Sequence, residues 1–480
     1  MLLTGKNIVK VVCSCNNIFV EDLGVMTPAD KIIDTAIQMK ADVVGLSGLI
    51  TPSLDEMVFV ADKMEKAGLK MPLLIGGATT SKMHTAVKVA PRYNGSVVHV
   101  LDASRSVSVI SSLLDPKNQE DFKADVADEY EELREEHYSG LEERKYVTLK
   151  TARQRMLEVD FVKLPPVSKP SFLGVKKLVD FSIDKVLPYI DWNPFFQVWQ
   201  LRGKYPNRGY PKIFNDKDVG SEAKKLFDEA NLLLEGYAKN KTLKLNGVIG
   251  FWPANTVGDD IELYSDDEVR DDSTRIETLH TLRQQAEKEA DDATYLAMSD
   301  FVAPKGIKDY VGMFAVTAGI GADELIESHK KDLDDYGAIM SEALADRLAE
   351  AFAELLHEDV RREHWGYASA ETLSAEDLIK IKYQGIRPAP GYPSQPDHSE
   401  KWVMWNVLKA EEVGIELTES LAMTPAASVS GLYFAHEQSQ YFAVGKIQRD
   451  QAEDYAKRKS LSKLESEKWL RPVLAYDTEI

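Results

Sequence analysis

The sequence predicts two domains of different class: an α/β domain with a doubly wound parallel sheet, then a larger α+β domain with an antiparallel sheet and long helices. Three observations predict this. Residues 6 to 114 alternate strand-like and helix-like runs, and residues 163 to 174, "KLPPVSKPSFLG", are proline-rich. Beyond them the alternation stops, and apolar runs and long amphipathic stretches fall in separate groups. Strict βαβα order with near-continuous apolar strands belongs to parallel sheets covered on both faces. Strands grouped apart from long helices indicate an antiparallel sheet. At 480 residues the chain exceeds one ordinary core. The expected boundaries are 1–150 for the first domain, 151–174 for a linker and 175–480 for the second.

Along the first domain, "NIVKVV" is apolar and β-branched and reads as a strand. "TPADKIIDTAIQMKA" reads as a helix, with Thr27 as cap and Pro28 in its first turn. "DVVGLSG" is a second strand. "TPSLDEMVFVADKMEKAG" is a helix, apolar at Leu54, Met57, Val58, Val60 and Ala61 and stopped by Gly68. "MPLLIGG" and "SVVHVL" are further strands, each followed by a helix. Ligands of such sheets bind beyond the carboxyl ends of the strands. Two loops lie there: one carries Ser47, Thr51 and Ser53, the other Gly76, Gly77, Thr79, Thr80 and Ser81. Hydroxyls at helix starts serve as caps, and paired glycines beside them also suit close approach by a large flat or anionic ligand. The G-x-G-x-x-G fingerprint is absent, so a dinucleotide is not indicated.

Residues 124 to 146 read as a solvated helix of mixed charge. In the second domain, "GVIGFWPA", "DYVGMFAVTAG", "SVSGLYFAH" and "YFAVGKIQ" read as strands. "GSEAKKLFDEANLLLEGYAK" and "IMSEALADRLAEAFAELLHEDVRREHW" read as helices. The second of these carries Leu344, Leu348, Phe352, Leu355 and Leu356 on one stripe, and Glu350 on its alanine-rich flank.

The net charge of −20, from 78 acidic and 58 basic residues, argues against a nucleic-acid binder. No apolar run reaches the roughly 18 residues of a membrane span, and the opening residues do not read as a signal peptide. The two cysteines, Cys13 and Cys15, would share one face of a strand as buried thiols in a reduced, cytoplasmic setting. Motifs for zinc hydrolysis, phosphate loops and serine nucleophiles are absent.

One segment, "KYQGIRPAPGYPSQPDH" (382–398), holds four prolines, two glycines and two tyrosines. Proline excludes it from helix interiors and central strands. It reads either as a rigid connector or as a pre-ordered clamp. In the clamp reading Arg387 offers a fork to a carboxylate and Tyr392 a face to a flat ring.

Taken together, "TGKNIVKVVCSCNN", "LSGLITPSLDEM", "LLIGGATTS" and "RPAPGYP" resemble the C-terminal half of the cobalamin-dependent methionine synthase family. The resemblance implies a flavodoxin-like cobalamin domain and a C-shaped activation domain that binds S-adenosylmethionine. It implies that Gly5, Ser47, Thr51, Ser53, Gly76, Gly77 and Ala103 surround cobalamin, with Leu2 where the family places its axial histidine. It further implies that Asp191, Glu350, Arg387, Ala389, Gly391, Tyr392 and Tyr441 hold S-adenosylmethionine, with Asp191 on the ammonium group.

In the family a methyl group passes from methyltetrahydrofolate to cobalamin and on to homocysteine. Oxidised cobalamin is rescued by one electron from an FMN- or FAD-containing reductase or flavodoxin-type donor, and by a methyl group from S-adenosylmethionine. The resemblance thus implies a methyltransferase portion concerned with rescue. The homocysteine domain with its zinc and the folate domain would lie upstream, so full turnover by this chain alone is not expected. An S-adenosylmethionine-binding module with a defective cobalamin domain is the alternative. The basic segment "WQLRGKYPNRGYPK" (199–212) is either a solvated loop or a docking surface for the acidic face of the reductase.

Overall fold

The computed structural model describes residues 3–48, 52–143, 145–163, 168–290, 292–476 and 478. Two compact units result: Met1–Arg144 with Leu333–Ile339, and Lys145–Asp332 with Met340–Ile480. Residues 151–174, read as a linker, begin inside a helix of the second unit.

The first unit opens on helix α1, Leu3–Cys15, where the sequence suggested a strand. Val9 and Cys13, four residues apart, join one apolar cluster, so the β-branched run follows a helical period and propensity yields to packing. Cys13 is consequently buried and Cys15 exposed, not side by side on a strand. Helix α2, Ala29–Met39, has Pro28 as its N-cap. The Thr27 hydroxyl, expected to cap it, donates back to the Leu23 carbonyl instead (2.9 Å).

Strand β1 (Val44–Ser47), α3 (Pro52–Lys66), β2 (Leu73–Gly76), α4 (Lys82–His84, continued by a π turn), β3 (Val97–His99), α5 (Ala103–Leu114) and α6 (Gln119–Glu143) follow. The sheet is parallel, in the order β1-β2-β3. Leu73 and Ile75 face a layer containing α2 and α3. Leu74, between them, faces α1, α5 and α6. This period-two alternation with both faces covered makes the unit the doubly wound α/β domain that the sequence predicted.

The second unit begins with α7 (Leu149–Gln154), β4 (Gly174–Phe181), α8 (Ile183–Val186), α9 (Trp192–Val198) and α10 (Gly220–Asn240). Strands β5 (Lys244–Val257), β6 (Asp260–Tyr264), β7 (Arg275–His280) and β8 (Asp309–Ile320) come next, then α11 (Ala322–Lys331) and α12 (Asp335–Asp359). The chain ends with α13 (Ala375–Ile379), α14 (Glu400–Leu408), β9 (Glu416–Leu417), β10 (Met423–Thr424), β11 (Ser428–Tyr433), α15 (Arg449–Arg458) and α16 (Lys463–Leu470). The main sheet is antiparallel in the order β11-β8-β5-β6-β7, with β4 also on β5. Leu344, Leu348, Phe352, Leu355 and Leu356 of α12 pack with α10 on one face, and Met404, Trp405 and Leu408 of α14 lie on the other.

Residues 441–448, read as a strand, form none. Val444 and Ile447 are buried, but their amides donate to the carbonyls of Pro393 (2.8 Å) and Val473 (2.8 Å). Loop carbonyls take the place of a neighbouring strand there.

Candidate functional site

Each unit contains one of the two groups of residues expected from the sequence to hold a ligand. In the first, Ser47 closes β1 and Gly76 closes β2, so both stand at carboxyl ends of parallel strands. Gly77 has φ 107°, and a Cβ there would collide with the backbone of Gly48, whose N–H donates to the Gly76 carbonyl (2.8 Å). Glycine at 77 is therefore required by the crossing of two loops, while a Cβ at Gly76 would meet only the Val100 carbonyl at 3.4 Å. Thr80 donates its hydroxyl to the Gly77 carbonyl (2.8 Å), and His99 Nε2 lies 3.2 Å from Thr80 Oγ1. Burial holds the His99 imidazole below its usual pKa.

Thr79 Oγ1 is buried and has no partner among the described residues, a state that favours capture of a hydrogen-bonding group. Ser53 lies in the first turn of α3, Ala103 opens α5 behind the Asp102 cap, and Gly5 sits in α1. Leu2 and Thr51 lie outside the described residues.

In the second unit the 382–398 segment is pinned along its length. Ile386 pairs with Phe434 through both backbone bonds (3.0 and 3.1 Å), and Pro388 accepts from the Leu432 amide (2.7 Å). Pro388 and Pro390 remove donors that would otherwise need partners. The chain turns at Ala389–Gln395, where Gly391 donates to Gln395 (2.7 Å), Tyr392 to Ala389 (3.0 Å) and Gln395 to Tyr392 (2.9 Å). Gly391 has φ 95°, and the buried ring of His398 fills the place a Cβ would take. Ala389 is buried beside it, while Tyr392 is 51% exposed.

The Arg387 side chain turns towards α12. Its Nη1 and Nη2 donate to Glu354 Oε1 (3.2 Å) and Oε2 (2.5 Å), and Nη1 also to His357 Nδ1 (3.1 Å) and Tyr383 Oη (3.1 Å). Burial alone would lower the Arg387 pKa, but the Glu354 carboxylate holds it above the ordinary range. Burial and the charges of Arg387 and Arg361 push His357 well below its usual value, so it is neutral. Since arginine only donates, His357 Nδ1 is the acceptor and the proton sits on Nε2. His357 stacks on Tyr433 (centroids 5.2 Å apart) and meets Tyr383 edge-on at 4.9 Å.

Tyr441 accepts the Arg387 backbone N–H at its Oη (2.9 Å). Burial raises the Tyr392 phenol, and the charge of Glu350 raises it further. Glu350 itself is exposed on α12.

Arg387, Ala389, Gly391 and Tyr392 thus lie on one loop, Tyr441 meets it at the Arg387 N–H, and the charge of Glu350 reaches Tyr392. Asp191 takes no part in these contacts: it is the N-cap of α9, accepting from the Asn193 backbone N–H (3.0 Å) and side-chain amide (2.8 Å). Sequence reasoning missed Glu354, His357 and Tyr383. A partial signal was available, because Glu350, Glu354, His357 and Arg361 recur at i, i+4, i+7 and i+11 on one face of α12 and the turn that continues it.

The basic segment 199–212 is mainly exposed, and Lys204 pairs with Asp218 (2.5 Å). Among the described residues, no helix is long and apolar enough to cross a membrane, and no cluster of metal-ligating side chains occurs.

Residues 182–460 match the family model of the vitamin B12 dependent methionine synthase activation domain, and residues 4–95 match that of the B12 binding domain. Among solved structures, the chain is similar to the MetH reactivation domain bound to AdoHcy. The two are 50% identical, the match covers 69% of this chain and 99% of the other, and the TM-score is 0.65.

Proposed function

The chain belongs to the family of vitamin B12-dependent methionine synthases, and on that premise we propose that it binds cobalamin in its first unit and S-adenosylmethionine in its second, supporting reductive methylation of the cofactor. The observation carrying the adenosyl half is the stitched 386–395 loop, with Arg387 and Tyr392 at one end of a charged and aromatic network. A loop already fixed by backbone bonds loses little entropy on binding. In this reading Arg387 meets the ligand's carboxylate and Tyr392 offers a ring face to adenine. Asp191 and Glu350 neutralise the ammonium group, and the Tyr441 ring lies by the sulfonium. Calorimetry of the full chain with S-adenosylhomocysteine tests it: saturable one-site binding is expected, and absence of binding overturns it.

The first unit fits a corrin ligand through Ser47, Gly76, Gly77 and the unpartnered Thr79 hydroxyl at the strand ends, with Ser53 and Ala103 beside them. When bound, the cofactor supplies the cobalt that accepts the methyl group after one-electron reduction. The chain's own part is to hold the ligand with small side chains and bare amides. Retention of corrin absorbance after gel filtration is expected. Loss of all corrin would overturn this half and leave an adenosyl-binding module.

The electron donor we propose is a flavoprotein with an acidic face, docking on the exposed Arg202, Lys204, Arg208 and Lys212. Reversing charge at Lys204 and Arg208 is expected to slow reductase-dependent rescue at low salt. An unchanged rate would remove this surface from consideration.

A further inference from the structure

The Arg387 guanidinium has two edges that can each take a carboxylate, and the structure assigns them different owners. The end-on edge, Nη1 and Nη2, is bound by Glu354, and His357 and Tyr383 add to Nη1. Among the described residues, Nε–H and the second Nη2 hydrogen, which form the side-on edge, have no partner. The guanidinium is planar and rigid, so fixing one edge fixes the direction of the other. Its side chain remains 21% exposed, which leaves that second edge reachable.

We infer that Glu354 and His357 are positioning residues that aim the side-on edge of Arg387 at the amino-acid carboxylate of the adenosyl ligand. The inference rests on the adenosyl-binding reading above and adds the residues that hold Arg387 to that task. Glu354 supplies both orientation and a compensating charge, so that Arg387 stays in place when the pocket is empty. His357 contributes an acceptor whose tautomer is fixed. It is wholly buried, and its neutral state is maintained by burial and by two neighbouring arginines. Protonation would turn Nδ1 from acceptor to donor against a guanidinium. Tyr441 anchors the same residue from the main-chain side by accepting its backbone N–H. Arg387 is therefore gripped at both ends, by residues from outside its own loop.

The consequence is selective. Loss of Glu354 or His357 should harm recognition of the ligand's amino-acid end and spare recognition of its nucleoside end. The test compares two probes on the full chain: S-adenosylhomocysteine, which has the carboxylate, and 5′-methylthioadenosine, which lacks it. Glu354→Gln is expected to weaken the first about tenfold, the order of one charge-assisted hydrogen bond, and to leave the second within about twofold. His357→Leu should show the same selectivity to a smaller degree. His357→Asn, whose Oδ1 can stand where Nδ1 stood, should restore wild-type affinity. Equal loss for both probes in the Glu354 and His357 variants would mean a merely structural role and would overturn the inference. Failure of both probes to bind the wild-type chain would overturn the adenosyl-binding reading itself.

Discussion

The two candidate sites solve the problem of holding a large ligand by opposite means. The rim of the first unit consists of backbone and small side chains: Ser47, Gly76, Gly77, Thr79 and Thr80, with the Gly48 and Gly77 loops crossing in contact. No ion pair is described among these residues. The loop of the second unit is a charged and aromatic assembly whose parts come from α12, from residues 383–398 and from Tyr441. A site of the first kind recognises by shape, and a change in its backbone alters everything at once. A site of the second kind divides recognition among side chains, so single substitutions remove one feature and leave the rest.

That contrast orders the predictions. The largest effect belongs to Arg387→Ala, which removes the fork proposed to meet the ligand and leaves Glu354 and His357 without their partner. Affinity for S-adenosylhomocysteine by calorimetry should fall about a hundredfold, while corrin retention by the first unit stays unchanged. Gly77→Ala tests the opposite site. The φ of 107° and the crossing with Gly48 forbid a Cβ, so a loss of about 2 kcal/mol is expected for unfolding of the first unit. Adenosyl affinity should not move, and a shift in both would erase the separation between the sites.

A third prediction concerns the ring beneath the Gly391 turn. Burial, aided by the charge of Lys401, depresses His398 to about 4, while nearby Asp397 acts in the opposite direction. In the unfolded chain the same group titrates near its ordinary value of about 6.5. Between these values the unfolded state binds the extra proton, so stability falls as pH drops through the window. By pH 5 the contribution is about 2 kcal/mol. Denaturation curves of the wild type and His398→Asn should therefore differ in pH dependence between pH 6.5 and pH 4 and run parallel above pH 7. The smallest effect is that of Tyr441→Phe, which removes the acceptor of the Arg387 N–H at a cost of about 1 kcal/mol. It should appear as a several-fold loss of adenosyl affinity without a change in the first unit.

The sequence revealed the two sites unequally, and for physical reasons. Strand-end glycines and hydroxyls are local signals, and the three parallel strands were legible from their apolar runs. The Arg387 loop was legible too, through its prolines. Its pairing with Glu354 and His357 was not, because their helical spacing marks a face but not what that face meets, and they precede Arg387 by 33 and 30 residues. The segment at 7–12 misled because β-branched residues suggest strands, whereas Val9 and Cys13 share a helical face. Strands β4, β6 and β7 escaped notice because charged side chains interrupt their apolar pattern, as in the Lys176–Lys177 pair of β4 and the Asp260–Glu262 stretch of β6. Asp191 was legible as a residue but not as the cap it forms.

Strand β5 has a neighbour on both sides from Leu245 to Phe251, with β4 on one and β8 on the other. The Ile386 leg of the 382–398 loop lies beyond β8 and β11, joined to the margin of the sheet at Leu432 and at Phe434 just past β11. Such a lattice has an interior that cannot be unzipped from either edge and a last rung that opens at lower cost. Amide protons at the centre of β5 would exchange only when the whole unit opens, long after those of the rung have been replaced many times.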